Sequence, residues 1–195
     1  MKVYSQNDEQ THILANCPRN GRFLDIGAWD PLDLSNTRAL VERGWDGVMV
    51  EPSPGPFSNL LAAYSSNERI ELIEAAVVLD PQMVEIQMHL SEQAFSTTEI
   101  GNYNKWKHYA DFYGEDLVKA ITLERIYEDH GEFDFVSIDT EGTSVDLLRR
   151  LMQIGFPQCI CVEHDGRIAE AFEAVGRFYR LVYQSAENLV LVRCA

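Results

Sequence analysis

Asp139 and Glu141 stand one residue apart in the run Ser137-Ile138-Asp139-Thr140-Glu141-Gly142, directly after an apolar stretch. A second polar group, Glu163-His164, closes another apolar stretch that begins near Gln158. An alcohol hydroxyl is a poor nucleophile until a base or a metal takes its proton. Carboxylates and an imidazole at the ends of two successive strands could converge as such a base, with Asp139, Glu141 and His164 as the catalytic set. They could equally hold a hard cation such as Mg²⁺, which binds through oxygen. Plainer roles stay open at this point: Glu141 as a cap for a helix starting near Ser144, and His164 as an ordinary loop histidine.

The front half of the chain supplies a different kind of site. Phe23-Leu24-Asp25-Ile26-Gly27-Ala28 is a buried strand ending in an acid and a glycine turn, and Val48-Met49-Val50-Glu51-Pro52 is a second strand ending in another acid. With a helix between them, this is the first half of a nucleotide-type βαβ unit, where ligands lie across the carboxyl ends of parallel strands. An acid closing the second strand suits the two hydroxyls of an adenosine ribose, since a carboxylate accepts both hydrogen bonds. A dinucleotide pyrophosphate asks for G-x-G-x-x-G, whereas this turn reads Gly27-Ala28-Trp29-Asp30-Pro31-Leu32. S-adenosylmethionine carries adenosine without phosphate, and its sulfonium and ammonium groups are positive. Asp25 beside Gly27 fits that ligand better than it fits a pyrophosphate. Ser35, near a helix N-terminus where anions are favoured, suits the methionine carboxylate or simply caps the helix.

The elements that position these residues follow from periodicity and breakers. A helix is expected over 5–16, broken by Cys17-Pro18-Arg19-Asn20-Gly21. Strand one spans about 22–28, a helix Ser35–Gly44, strand two about 47–51, and a helix about 57–66. Ile70–Leu79 reads as strand three and Val84–Leu90 as another. Residues 91–118, aromatic among polar neighbours, read as a loop-plus-helix insertion that shapes a substrate pocket, or as an aromatic helix packed in the core. Ala120–His130 and Ser144–Ile154 read as helices, Phe133–Asp139 and Gln158–Glu163 as strands. A helix over 167–175 precedes a hairpin of Tyr179–Gln184 and Asn188–Arg193. The pattern is an α/β fold: a Rossmann-like, seven-stranded, mostly parallel sheet with an antiparallel C-terminal hairpin, helices on both faces, and an antiparallel strand at one edge.

At 195 residues with 46% hydrophobic content, the chain is long enough for one domain with a full core. A net charge of -15 argues against a nucleic-acid partner, which needs clustered Lys and Arg. No apolar run reaches the roughly 18 residues of a membrane span, and Met1–Gln10 lacks a signal peptide's apolar stretch. Cys17, Cys159, Cys161 and Cys194 show no zinc spacing. Cys159 and Cys161 share one face of an apolar strand and are expected as buried free thiols, which points to a reducing, cytoplasmic setting.

Taken in order, four stretches resemble the FkbM family of S-adenosylmethionine-dependent methyltransferases, which have the class I methyltransferase fold. They are Tyr4-Ser5-Gln6 with Glu9; Asp25-Ile26-Gly27-Ala28 with Leu34-Ser35-Asn36-Thr37; Gly44-Trp45-Asp46-Gly47 leading to Glu51-Pro52; and Ser137 to Gly142 with Val162-Glu163-His164. Gln10 stands where the family usually has Asp, and Pro31 where it usually has a second glycine. The resemblance implies cofactor contacts at Asp25, Gly27, Ala28, Ser35, Glu51 and Pro52, with adenine near Ala75. It also implies O-methylation of a small-molecule or glycan acceptor, such as a sugar or secondary-metabolite hydroxyl. Two rivals stand beside it. One is a nicotinamide-dependent oxidoreductase on the same sheet, which the single glycine disfavours. The other is a non-catalytic binding domain, for which Pro31 speaks.

Overall fold

The computed structural model describes residues 2–194. In chain order the first half runs α1 (Glu9–Asn16), β1 (Arg22–Ile26), α2 (Arg38–Glu42), β2 (Asp46–Val50), α3 (Pro54–Tyr64) and β3 (Ile70–Ile73). A middle segment follows: β4 (Ala76–Val78), β5 (Glu85–Ser91), α4 (Ile100–Trp106) and β6 (Phe112–Thr122). The second half is α5 (Leu123–His130), β7 (Phe135–Ile138), α6 (Ser144–Ile154), β8 (Cys159–Glu163), α7 (Ile168–Val175), β9 (Tyr179–Gln184) and β10 (Asn188–Arg193).

Seven strands form the main sheet in the order β3-β2-β1-β7-β8-β10-β9. All pairs from β3 to β8 are parallel, while β10 runs antiparallel to both β8 and β9. The antiparallel strand therefore sits one place in from the edge, with β9 outside it, and not at the edge as the hairpin alone suggested. The chain leaves β1 in one direction and returns to its other side at β7, so a topological switch point opens at their carboxyl ends.

The alternation of side chains sorts the core into two layers. Leu24, Ile26, Val136, Ile138, Ile160 and Val162 pack with Leu123, Ile126, Leu148 and Ala171 of α5, α6 and α7. Phe23, Met49, Phe135, Cys159 and Cys161 pack on the opposite face with Ile13, Leu40, Leu60 and Tyr64 of α1, α2 and α3. Each buried aliphatic or aromatic side chain stabilises the fold by about 1.5–3 kcal/mol, so the two layers fix the strand ends that carry the polar residues.

Three expectations need correction. The run 70–79 is two strands, not one: β3 stays in the main sheet and β4 joins a separate three-stranded sheet, β4-β6-β5. Glu51 N–H is the last β2 donor to β3, reaching the Ile73 carbonyl at 3.0 Å. Ser53 N–H goes to the Glu51 side chain at 2.7 Å and not to the ladder. The segment 91–118 does contain a helix, α4, but its second half is the long strand β6, which continues to Thr122 and shortens the expected 120–130 helix. The helix after strand one is only Arg38–Glu42, because residues 29–37 form a turn with left-handed Trp29 (φ 44°) and Leu34 (φ 57°). No helix among the described residues is long and apolar enough to cross a membrane.

Candidate active site

A cavity of about 360 Å³ opens at the carboxyl ends of β1, β2, β7 and β8, within the size range of small-molecule sites. The second sheet and α4 cover it: Ala76, Val77 and Met88 come from the strands, Phe95 from the loop before α4, and Trp106 from the end of α4. Among the described residues, the ionisable side chains on its wall are all carboxyls; no Lys, Arg or His lines it.

One end is built by the turns after β1 and β2. Gly27 takes φ +79°, and a Cβ there would lie 1.7 Å from the Asp139 carbonyl oxygen, so only glycine lets β1 and β7 meet so closely. Its N–H donates to the Val50 carbonyl at 2.9 Å. Glu51 is 4% exposed. Its Oε2 accepts Trp29 N–H at 3.0 Å and its Oε1 accepts Ser53 N–H at 2.7 Å. One lone pair on each oxygen is left for a ligand. Burial pushes the Glu51 carboxyl up, and the Ser53 N–H and hydroxyl and the Trp29 N–H oppose it.

Asp25 is buried and accepts Thr37 Oγ1–H at 2.5 Å, with no backbone N–H from the following helix donating to it. Burial holds its carboxyl up at about 6, against the pull of the Thr37 hydroxyl. Ser35 Oγ accepts Arg38 N–H at 3.1 Å, so this hydroxyl does serve the helix start while it also lines the cavity. Ala28, Pro52 and Ala75 line the same wall.

The other end gathers Asp139, Glu141 and Glu163, each offering a carboxylate oxygen, all within 4.8 Å of one another. Sheet register explains the trio. Ile138 pairs with Val162, so the next step places Asp139 level with Glu163 on one face and sends His164 to the other. Glu141 then enters from the turn, with left-handed φ of 50°, a conformation that costs a non-glycine residue on the order of 1 kcal/mol or more. Burial is the main force raising all three carboxyls, and neighbouring acids add to it. Asp139 goes to about 6 with help from Asp165, Glu51 and Glu9, and Glu141 to about 8 with help from Asp139 and Asp165. Glu163 goes upward with help from Asp139, Glu141 and Asp165. The hydrogen bond between Asp139 and Glu163 pulls the Asp139 carboxyl down and pushes the Glu163 carboxyl up. The three oxygens could also hold a hard cation, with water or ligand oxygens completing its coordination.

His164 is not brought to this wall. It is 5% exposed and lies behind it, where Nδ1 accepts Gly166 N–H at 3.0 Å. That bond leaves the ring proton on Nε2, which is buried without a partner among the described residues. Glu141 does not cap α6, whose N-cap residue is Thr143 without a side-chain cap bond. Of the expected catalytic set, Asp139 and Glu141 meet here and His164 does not, its place being taken by the neighbouring Glu163; strand parity is the signal that separates the two. Gln6 and Glu187 on the wall, and Phe95 and Trp106 on the cover, were missed as site residues. Two signals pointed near them, the Tyr4-Ser5-Gln6 element and the aromatic content of 91–118.

The model of the Methyltransferase FkbM domain matches residues 25–185, from the acid of β1 to the C-terminal hairpin. The chain belongs to the FkbM methyltransferase family. Among solved structures it is similar to methyltransferase FkbM from Methylobacillus flagellatus KT, at 14% identity and TM-score 0.51, covering 90% of this chain and 44% of that one. The chain thus spans under half the length of that relative. It is also similar to the C-terminal domain of precorrin-6Y C5,15-methyltransferase from Rhodobacter capsulatus, at 13% identity and TM-score 0.51, covering 98% and 89%. No curated protein matches it in sequence. At these identities the likeness to solved structures is one of fold, and the family is what implies S-adenosylmethionine as cofactor. The FkbM chain's own residues fit that group: acids stand at both strand ends, small side chains lie at Ala28 and Ala75, and the wall has no base for a pyrophosphate.

Proposed function

We propose that this protein is an S-adenosylmethionine-dependent O-methyltransferase acting on the hydroxyl of a small molecule or glycan. The observation that carries the reading is the cavity's two-ended build, with a ribose-type acid at Glu51 and three clustered carboxyls at Asp139, Glu141 and Glu163. S-adenosylmethionine, when bound, supplies a methyl group already activated by its sulfonium. Glu51 holds the ribose diol with its two remaining lone pairs. Asp25, Gly27, Ala28 and Ser35 shape the methionine end, and Pro52 and Ala75 flank the adenine. Asp139 stands nearest the reacting centre, and Glu141 accepts the hydroxyl proton. A carboxyl raised to about 8 is a stronger base than an ordinary glutamate, and near neutral pH it still has a useful deprotonated fraction. Most of the acceleration comes from holding the hydroxyl in line with the methyl group.

A small acceptor and not a nucleic acid is favoured by the net charge of -15 and the all-acid wall, which repel phosphate. Mg²⁺ on the carboxyl trio is the second way to lower the hydroxyl's pKa, supported by the 4.8 Å grouping. Transfer of a labelled methyl group to a panel of sugars and polyols tests the reading, with and without EDTA. Methylation that survives EDTA and falls about 10²–10⁴-fold in Glu141→Gln supports a carboxylate base. Loss with EDTA and return with Mg²⁺ supports the metal. No binding of S-adenosylhomocysteine by calorimetry sinks the proposal.

A further inference from the structure

Thr97 belongs to the cover, in the loop between β5 and α4, and is 1% exposed. Its backbone pairs both ways with His89 of β5, at 2.9 and 3.0 Å, so its position is fixed by the second sheet. From there Oγ1 donates to the carbonyl oxygen of Glu141 at 2.7 Å and accepts Glu99 N–H at 3.0 Å. This contact crosses from the cover to the turn after β7. The next residue repeats it: Gly142 takes φ +122°, and a Cβ there would sit 2.9 Å from Asn102 Nδ2 and 3.3 Å from Glu99 Cβ. Helix α4 therefore rests directly on the Glu141-Gly142 peptide. His89 stacked on Tyr103, ring centres 4.1 Å apart, locks the helix to the sheet behind it.

We infer that Thr97 is a positioning residue: its bond to the Glu141 carbonyl holds that residue in the left-handed region and so aims its carboxylate into the cavity beside Asp139 and Glu163. A left-handed non-glycine residue persists only where its surroundings over-determine it, and a buried hydroxyl with one acceptor on the turn supplies that constraint. Without the bond, the turn relaxes toward right-handed backbone and the carboxylate swings toward water. The inference depends on the proposed function only for the use made of that carboxylate, since the positioning itself is geometric.

The test is backbone NMR of uniformly labelled protein, in which the carbon shifts and the amide–Hα coupling of Glu141 report the sign of its φ, with the residue assigned by its loss in Glu141→Gln. Thr97→Ser keeps the hydroxyl, Thr97→Val keeps the volume, and Thr97→Ala keeps neither. Calorimetry with S-adenosylhomocysteine runs beside each spectrum. Wild type and Thr97→Ser should show Glu141 at positive φ. Thr97→Val and Thr97→Ala should lose that signature, with the dissociation constant held within about threefold. Should the valine variant fail to fold, the alanine variant decides. An unchanged Glu141 signature in folded variants overturns the inference, as does unfolding of both variants, which would make Thr97 a residue of the fold alone. If wild type fails to bind S-adenosylhomocysteine, the methyltransferase reading falls while the Glu141 backbone signature still decides the role of Thr97.

Discussion

Glu51 faces the cavity with one lone pair on each oxygen already committed, to Trp29 N–H and to Ser53 N–H. Truncation therefore has two separable effects. Glu51→Ala strands two N–H groups and should cost roughly 2–4 kcal/mol of folding stability, read by denaturant unfolding. It should also weaken S-adenosylhomocysteine binding at least as strongly, read by calorimetry. An unchanged dissociation constant would remove Glu51 from the ribose. Three buried carboxyls, Asp25, Asp139 and Glu141, give a prediction of pH dependence. Asp25 and Asp139 titrate near 6 and Glu141 near 8 in the folded protein, all raised by burial. Between their unfolded values near 4 and these folded ones, the folded state binds more protons than the unfolded state. Their contribution is thus fully present below about pH 4 and is lost as pH rises through about 6 to 8. The ligand-free protein should melt at falling temperature across that window, and Glu141→Gln should flatten its upper part. A melting temperature rising from pH 6 to 8 would contradict the burial of these three carboxyls. At this scale the acids were legible in the sequence because each closes an apolar run. The choice between Glu163 and His164 was not legible from type alone, since both are plausible proton acceptors. It rested on which face of β8 each residue takes.

The elements that hold these residues were read unevenly, for physical reasons. Helix α6 and both hairpin strands appear where the pattern put them: α6 buries one apolar face, and β10 is a nearly continuous buried run that pairs along β9. Strand β6 escaped notice because Tyr113 to Leu117 are all exposed, so no buried face imposes a period of two. The break between β3 and β4 escaped notice because the run is continuous in sequence while β4 pairs with β6, a strand more than forty residues further on. The contact of β1 with β7 at Gly27 belongs to this scale. Gly27→Ala must accept positive φ and a Cβ buried in the Asp139 carbonyl. That cannot be met without parting the two central strand ends. The substitution should cost on the order of 3 kcal/mol or more and abolish S-adenosylhomocysteine binding in whatever fraction stays folded. A variant of near wild-type stability that still binds would mean the two strand ends are free to separate.

Over the whole molecule, the main sheet's two buried faces make the central strands the last to open, and the cysteines can report on it. Cys159 and Cys161 are both 0% exposed on β8, next to the switch-point strands. Burial raises the Cys161 thiol, and a hydrogen bond to Cys17 together with burial raises Cys159, which slows attack on thiol reagents further. Cys194 is exposed and Cys17 half-buried. A native thiol titration should therefore label Cys194 at once, Cys17 more slowly, and the β8 pair only when the sheet opens. This gives the fold a test tied to the site. A ligand that binds only the folded state adds about 2.7 kcal/mol of stability at one hundred times its dissociation constant. At that concentration S-adenosylhomocysteine should slow labelling of Cys159 and Cys161 by about a hundredfold, while Cys194 is unaffected. The cavity wall and β8 share Glu163, so protection of the pair reports occupancy at the strand ends. Rapid labelling of both in the free protein would place β8 outside the core. Equal rates with and without ligand would mean that S-adenosylhomocysteine does not bind the folded state, whatever the sheet does.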